Sequence, residues 1–542
     1  MLVDARSLAA GARLEADVCV VGAGPAGLAV ISELDGRGPS VVVLAGSAEA
    51  APGEVSGDSY PALADTRAGD VGGTAALWDA ELSPGSFGAR YAPLAPIDFE
   101  ERDGIPGSGW PFRREALDPF YARAHQLCVA GPYDYEPAAA EALSVDGIAS
   151  GLFRFGLAEP FMRAQRDRVA KSEAVRVLTG ATATKIHADE GGGAVGHVEA
   201  ASEPGRPFTV HARAYVLAAG GIENPRLLLL SGLGAGRDLV GRCFMDHPTI
   251  RCRLDLDADG AELGFYDVRR VEQALVLGRL ELPEETLRRE GLLHGGFILA
   301  PARERELRAT AAAKAMAHAM RERRLPPQPV RAVGDALAGL DAIAFAAHRR
   351  LARAAPALAP SLRLWRRSAL LDTLGLGPVS GWSRLGRPSR AYDLYHVIEQ
   401  APDPERRVTL GSERDRFGLP LPSLRWFVGT RELESAERAQ ELMRAAFARQ
   451  GLGRLRAGRE LAPGGDLLAA VHPSAHHHLG TTRMHDSERH GVVDADARVH
   501  GLANLFVAGG SVFPTSGFVN PTLTIVALAL RLGVHLRQDV MR

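Results

Sequence analysis

Ala16-Asp17-Val18-Cys19-Val20-Val21-Gly22-Ala23-Gly24-Pro25-Ala26-Gly27 is the stretch that decides the fold. Its first six residues read as a buried strand, and Leu28 to Leu34 carry the chain on as an apolar helix. A second strand, Ser40 to Leu44, follows Gly36 and Gly38. Strand, Gly-x-Gly-x-x-Gly, helix and strand in that order is the setting a dinucleotide-binding turn requires. Gly22 permits the tight turn, Gly24 lets the backbone approach a pyrophosphate, and Gly27 lets the helix pack closely on the sheet. With Ala26 these are the candidate cofactor-binding residues of the turn, and the helix N-terminus faces the phosphates.

One part of the pattern is missing. An acidic residue about 20 positions along should close the second strand and bind ribose hydroxyls. Here the run is Val43-Leu44-Ala45-Gly46-Ser47. Ser47 can replace one hydrogen bond but not a bidentate carboxylate, and losing a charge-assisted bond costs about 1.5–3 kcal/mol. Weakened cofactor binding, with partial loss on purification, is the expectation.

Bulk properties narrow the class. The chain has 542 residues, 46% of them hydrophobic and 24% charged, with a formal net charge of -2. That length can bury several cores, and the near-neutral balance excludes a typical nucleic-acid binder. Cys19, Cys128, Cys243 and Cys252 are scattered without metal or disulfide spacing, which fits a reducing compartment. Met1 to Ala16 lacks the apolar core of a secretory signal. The apolar run Leu523 to Leu530 stops well short of the roughly 20 residues of a membrane helix. A cytoplasmic chain without a transmembrane segment is expected.

Further motifs follow in order. Gly72-Gly73-Thr74-Ala75-Ala76-Leu77-Trp78 comes first, then Pro96-Ile97-Asp98-Phe99 and Gly109-Trp110-Pro111. Ala214 to Gly221 runs into Ile222-Glu223-Asn224-Pro225-Arg226, and Gly241-Arg242 precedes Met245-Asp246-His247-Pro248. The C-terminal part carries His476-His477-His478-Leu479-Gly480, Gly491-Val492-Val493-Asp494 and the strand Leu505 to Ala508. Gly509-Gly510-Ser511-Val512-Phe513-Pro514 and Asn520-Pro521-Thr522-Leu523-Thr524 close it.

In this order the motifs resemble the glucose–methanol–choline (GMC) oxidoreductases, FAD-dependent alcohol oxidases and dehydrogenases. The resemblance runs from Asp17 to about Leu536 and is faint between about Leu254 and Leu394. It implies an α/β fold (α+β overall), with a Rossmann-like FAD-binding domain and a substrate domain built on an antiparallel sheet. It places Gly73, Thr74, Trp78, Ala219, Gly220, Asn224, Gly509, Ser511, Pro521 and Thr522 at the FAD. Some relatives tether FAD through a histidine near Gly73; this stretch has none, so non-covalent FAD is expected. Where the family usually has Leu-Glu-Ala-Gly, this chain has Leu44-Ala45-Gly46, so the ribose contact and not the fold is in question.

The resemblance also assigns His477 and Asn520 as the catalytic residues. Alcohol oxidation removes a hydroxyl proton and a hydride from the same carbon. A weak acid of this kind needs a positioned base, and imidazole titrates in a suitable range. The implied reaction is proton abstraction by His477 with hydride passing to flavin N5, while the Asn520 amide orients the substrate oxygen. Asn520 also suits a helix N-cap and Pro521 a first turn, and the helix end facing the flavin would favour negative charge there. The implied substrate is a small-molecule alcohol, namely a sugar, glycoside or polyol. Oxygen, a quinone or a protein would be the electron acceptor.

Other readings remain open. The three histidines lack acidic or cysteine partners at ligand spacing, so no metal is expected. Asn520 alone would also serve as a helix cap, and His476 and His478 read as packing residues. An FAD-containing lyase on the same scaffold, or a degenerate member with weakened FAD binding, are the alternative functions.

The FAD-binding domain is expected to be discontinuous, at 1–95, 170–250 and 470–542, with the substrate domain at 96–169 and 251–469. Ala138 to Ser150 reads as a loop or lid. Arg406-Arg407-Val408-Thr409-Leu410, with Asp415 and Gly418, resembles a segment entering the substrate sheet. An Ala/Arg-rich region, 301–367, has helical periodicity broken at Pro326-Pro327 and at Pro356 to Pro360. It reads as solvated helices, or as a docking surface for a membrane or an acidic partner.

Overall fold

Val18 to Val21 and Val41 to Ala45 are buried runs rich in valine, the pattern of parallel strands covered on both faces. The fold is taken from a computed structural model. It describes residues 1–46, 53–77, 80–83, 86–136, 145–156, 158–234, 238–257, 263–266, 268–271, 274–301, 304–321, 325, 328–338, 391–474 and 476–541. The strand Arg13–Val21 lies inside an eight-stranded sheet. The parallel part of that sheet runs Leu2–Asp4, Val175–Thr179, Val41–Ala45, Arg13–Val21, Pro207–Leu217 and Leu505–Val507. Val195–Ala201 and Thr182–Ala188 extend it in antiparallel sense. The helix Pro25–Leu34 is buried along its whole length and packs on the C-terminal helix Thr522–His535. This is the Rossmann-like half the glycine turn implied.

The other half is a ten-stranded antiparallel sheet. Its main path is Gly453–Arg456, Thr249–Leu256, Ala391–Ile398, Gly295–Pro301, Ala274–Glu281, Ala149–Gly156, Ser86–Tyr91 and Ala80–Ser83. Alternation sets one face inward. Cys252, Leu254, Phe297, Leu299 and Leu394 form a core with Met443 and Phe447 of the helix Thr430–Arg449. Residues 80–91, counted with the first domain in the sequence division, supply strands to this second sheet.

One sequence expectation is corrected. Arg407–Arg414 does not enter the ten-stranded sheet. It pairs with Pro420–Trp426, which pairs in turn with Glu54–Gly57, forming a separate three-stranded sheet. Arg226 pulls this hairpin toward the Rossmann-like half by bonding Asp415 at 2.7 Å and the Pro420 carbonyl at 2.8 Å. Val408, Leu424 and Trp426 then share a core with Leu63, Ile222 and Phe244.

In the Ala/Arg-rich region, the helices Glu304–Arg321 and Pro329–Ala338 pack together through Ala312, Met316, Ala332 and Ala336. Its remainder from 339 to 367, both proline breaks, Trp78 and most of Ala138 to Ser150 lie outside the described residues. Among the described residues no helix is long and apolar enough to cross a membrane.

Candidate active site

The carboxyl ends of the parallel strands open on a cleft of about 480 Å³. Such an edge is where open α/β sheets bind ligands, because the strand-to-helix turns converge there. Gly22, Gly24 and Ala26 line the cleft from the first turn, and Gly73 and Thr74 face them. Ala219, Gly220, Gly509 and Pro521 complete the wall. Gly22 has φ +109°, and a Cβ there would sit 2.4 Å from the Ala218 carbonyl oxygen. Gly27 does not line the cleft; its hydrogen lets the helix approach, since a Cβ would fall 2.1 Å from the Gly22 oxygen. No side chain caps the helix Pro25–Leu34, so its N-terminus is open to an anion in the cleft.

Asn224, Ser511 and Thr522 are not cleft-lining residues. Asn224 is fully buried, accepts from the Ala219 N–H at 2.8 Å and donates to Ser511 Oγ at 3.0 Å. It thereby ties the turn after Pro207–Leu217 to the turn after Leu505–Val507. Thr522 is buried as the first residue of the C-terminal helix. Trp78 lies outside the described residues.

Beyond Leu44 and Gly46 the cleft is walled by residues 181–183 and by the hairpin tip 414–417. Ala45 is fully buried, and its carbonyl accepts from the Ala181 N–H at 2.8 Å. The strand Val41–Ala45 brings no carboxylate to this end. Three acids do line the cleft, Asp70, Glu223 and Asp415, and the last two are already engaged. Glu223 is held by Arg67 and by Arg226, the latter at 3.0 Å, and Asp415 by Arg226 at 2.7 Å. Burial pushes the Glu223 carboxyl up, but Arg67 and Arg226 outweigh it and hold the group below its usual range. Sequence reasoning quoted Glu223, Arg226 and Asp415 only as motif letters. Their chain of opposite charges across some 190 positions leaves no local signal.

The far end of the cleft holds His476, His477 and His478. Their rings diverge. His476 Nδ1 lies 3.5 Å from the Thr66 carbonyl, and His478 packs on Phe244 with ring centroids 5.7 Å apart. His477 is half-buried and faces Asn520, whose Nδ2 lies 3.2 Å from its Nε2. Burial holds the His477 ring well below the usual imidazole range, and His247 and Arg90 push it the same way. Asn520 is not the helix cap the sequence suggested. Pro521 occupies the cap position, its carbonyl accepting from the Ile525 N–H at 2.9 Å, which leaves the Asn520 amide free for His477.

A buried network holds the loop that leads to Asn520. Thr515 accepts from Trp110 Nε1 at 2.9 Å and donates to the Asp98 carbonyl at 2.5 Å. The Asp98 carboxylate meets His294 Nδ1 at 2.7 Å. Glu399 binds Arg102 in bidentate fashion at 2.6 and 2.8 Å, and also accepts from the N–H groups of Gly517 at 3.4 Å and His294 at 3.0 Å.

A Rossmann-like nucleotide cleft that ends on a half-buried imidazole–amide pair, in a chain that also carries an antiparallel sheet, defines a class of dinucleotide-binding protein. Two family models described as GMC oxidoreductase match residues 159–249 and 402–529, and the chain belongs to that family. It is 26% identical to the fructose dehydrogenase large subunit of Gluconobacter japonicus over 343 residues, 61% of this chain and 48% of that one. It is 30% identical to paromamine 6'-oxidase of Streptomyces fradiae over 177 residues, 31% of this chain and 30% of that one. These matches span about half or less of the relatives' lengths. The pyridoxine 4-oxidase structure from Mesorbium loti superposes with a TM-score of 0.52 at 17% identity, covering 96% of this chain and 98% of that one. At that identity it shows the fold. The cofactor of the N-terminal family segment is FAD, and the glycine-lined turn with its uncapped helix fits the pyrophosphate of that group.

Ala45 makes the FAD affinity testable. The missing ribose acid should leave a deficit of about 1.5–3 kcal/mol, roughly 10–150-fold in Kd. The purified protein is therefore expected to lose part of its FAD on prolonged dialysis and regain it on addition of FAD. Full flavin occupancy after dialysis would show that other groups make up the contact.

Proposed function

We propose that the protein oxidises the CH–OH group of a sugar, glycoside or polyol, with non-covalently held FAD and with His477 as the base. The observation that carries this reading is the His477–Asn520 pair at one end of a cleft whose other end is shaped for a dinucleotide. The names of the two relatives, a fructose dehydrogenase subunit and a paromamine oxidase, support a sugar-like substrate.

When bound, FAD supplies the acceptor for the hydride that leaves the carbinol carbon. The rest falls to side chains. His477 Nε2 takes the hydroxyl proton as the C–H bond weakens, and the Asn520 amide fixes the oxygen against that nitrogen. Burial keeps the ring neutral and therefore able to accept. Residues 72–77 offer no histidine or cysteine for a covalent link, so acid precipitation should release FAD into the supernatant.

The pH dependence has a definite sign. Only neutral His477 can take the proton, and its lowered pKa keeps it neutral as pH falls. The acid limb of kcat/KM is therefore expected below about pH 6.5, the free imidazole value. An acid limb centred at or above that value would contradict the assigned base.

The deciding experiment is the visible spectrum of the FAD-loaded protein, followed by anaerobic mixing with a panel of sugars and polyols. Bleaching of the flavin bands by a sugar supports the proposal. Flavin that stays oxidised while a substrate is cleaved would support a lyase instead. Stopped-flow reoxidation by oxygen or by a quinone then separates the candidate electron acceptors.

A further inference from the structure

His247 has no part in the reaction as set out so far. Its ring is fully buried, and its Nδ1 lies 2.8 Å from Nδ1 of His477. The ring centroids are 4.8 Å apart with 68° between the planes. The backbone creates this contact. Met245 and Leu479 exchange both main-chain hydrogen bonds, at 3.1 and 3.0 Å, as an antiparallel bridge. Two steps outward in that register, position 247 falls opposite position 477, with both side chains on one side.

Two Nδ1 atoms at this distance hold one proton between them, so one ring donates and the other accepts. With the Asn520 amide donating to Nε2 of His477, that nitrogen carries the lone pair and the ring's own proton sits on Nδ1. The bond then runs from His477 to His247.

We infer that His247 is a positioning residue: it keeps His477 in the tautomer whose Nε2 is basic, and it receives the Nδ1 proton when Nε2 is protonated. The inference rests on the reading of His477 as the base. One proton enters the pair at Nε2 of His477, and one crosses from its Nδ1 to His247. The pair gains a single positive charge, which ends on His247.

Burial holds the His247 ring below the usual imidazole range, but its neighbours work against that, whereas those of His477 add to it. Asp246 is fully buried beside His247; its carboxylate accepts from the His247 main-chain N–H at 2.7 Å and from the Tyr60 hydroxyl at 2.8 Å. Asp98 and Glu399 also face His247 electrostatically, as does the main chain of Ser516. Around His477 the charged and titratable neighbours are Arg90, His476 and His478, all of which oppose a positive charge there. The asymmetry draws the proton toward His247.

The test compares His247→Leu, which removes acceptor and base, with His247→Asn, whose amide oxygen can still accept from Nδ1 but cannot take a proton. Both are checked for FAD content by absorption. Ring nitrogens are read by NMR on protein labelled with 15N-histidine. Wild type should show His477 protonated on Nδ1. His247→Leu should shift it toward the Nε2-protonated form and lower kcat by roughly 10–100-fold, with KM little changed. His247→Asn should restore the tautomer and part of kcat, with an altered acid limb. Unchanged His477 ring signals and an unchanged pH profile in His247→Leu would overturn the inference. A shifted tautomer together with normal turnover in His477→Ala would instead overturn the base assignment, so the two failures are distinguishable.

Discussion

His477→Ala lowers kcat by roughly 10²–10⁴-fold, the usual worth of a positioned general base. Neither neighbouring histidine can stand in. His476 lies against the Thr66 carbonyl and His478 against Phe244, so bringing either ring to Asn520 would require a new backbone path. Asn520 remains to orient the substrate oxygen, but an amide does not titrate and cannot take the proton. The loss should therefore appear in kcat more than in KM. The nucleotide end of the cleft is built from the glycine turn and the strand ends, so flavin absorption should match wild type. Steady-state kinetics on the FAD-loaded variant measures the effect, and near-normal turnover would remove His477 from the mechanism.

Glu399→Ala carries the largest expected cost in stability. Glu399 is fully buried, and its partner Arg102 keeps only 7% of its side chain exposed. Burial disfavours the Arg102 charge, yet Glu399 outweighs it and raises the Arg102 pKa, so the guanidinium stays charged. Removing the carboxylate takes the bidentate partner from a buried guanidinium, which costs about 3–5 kcal/mol. The backbone N–H groups of His294 and Gly517 lose their acceptor at the same time. Gly517 lies three residues before Asn520, so turnover should fall along with stability. Urea unfolding followed by circular dichroism reads the first effect. A midpoint equal to wild type would mean that water or a shifted side chain satisfies Arg102.

The glycine turn was legible because its signal is local: spacing, strand and helix lie within some twenty residues. The two sheets and the family followed from motif order, which does not depend on knowing how distant segments meet. Side-chain direction was less legible. Asn224 and Ser511 stand in cleft motifs yet point at each other, since proximity in sequence does not say which face a side chain takes. The partner strand of the hairpin 407–426 is Glu54–Gly57, far upstream, and Ser412 meets Glu54 from a position no local pattern marks. Asn520 and Pro521 both suit a helix start, so local preference could not separate cap from site. The hydrogen bond to His477 decided that. His247 was visible only as a motif letter until the Met245–Leu479 bridge set it opposite His477.

The strand Leu505–Val507 completes the parallel sheet beside Pro207–Leu217, and Gly509, Asn520 and Pro521 follow it. During synthesis the outer edge of Tyr215–Leu217, beyond the part of that strand paired with Val195–Ala201, waits for its partner while some 290 further residues emerge, counted from 217 to 505. An open strand edge invites association with other chains. The nascent protein thus spends about half of translation with a short open edge and half a nucleotide site, and cofactor capture waits for the C-terminal segment to dock. Cellular FAD then acts as a late folding ligand, drawing the completed chain toward its native state by mass action.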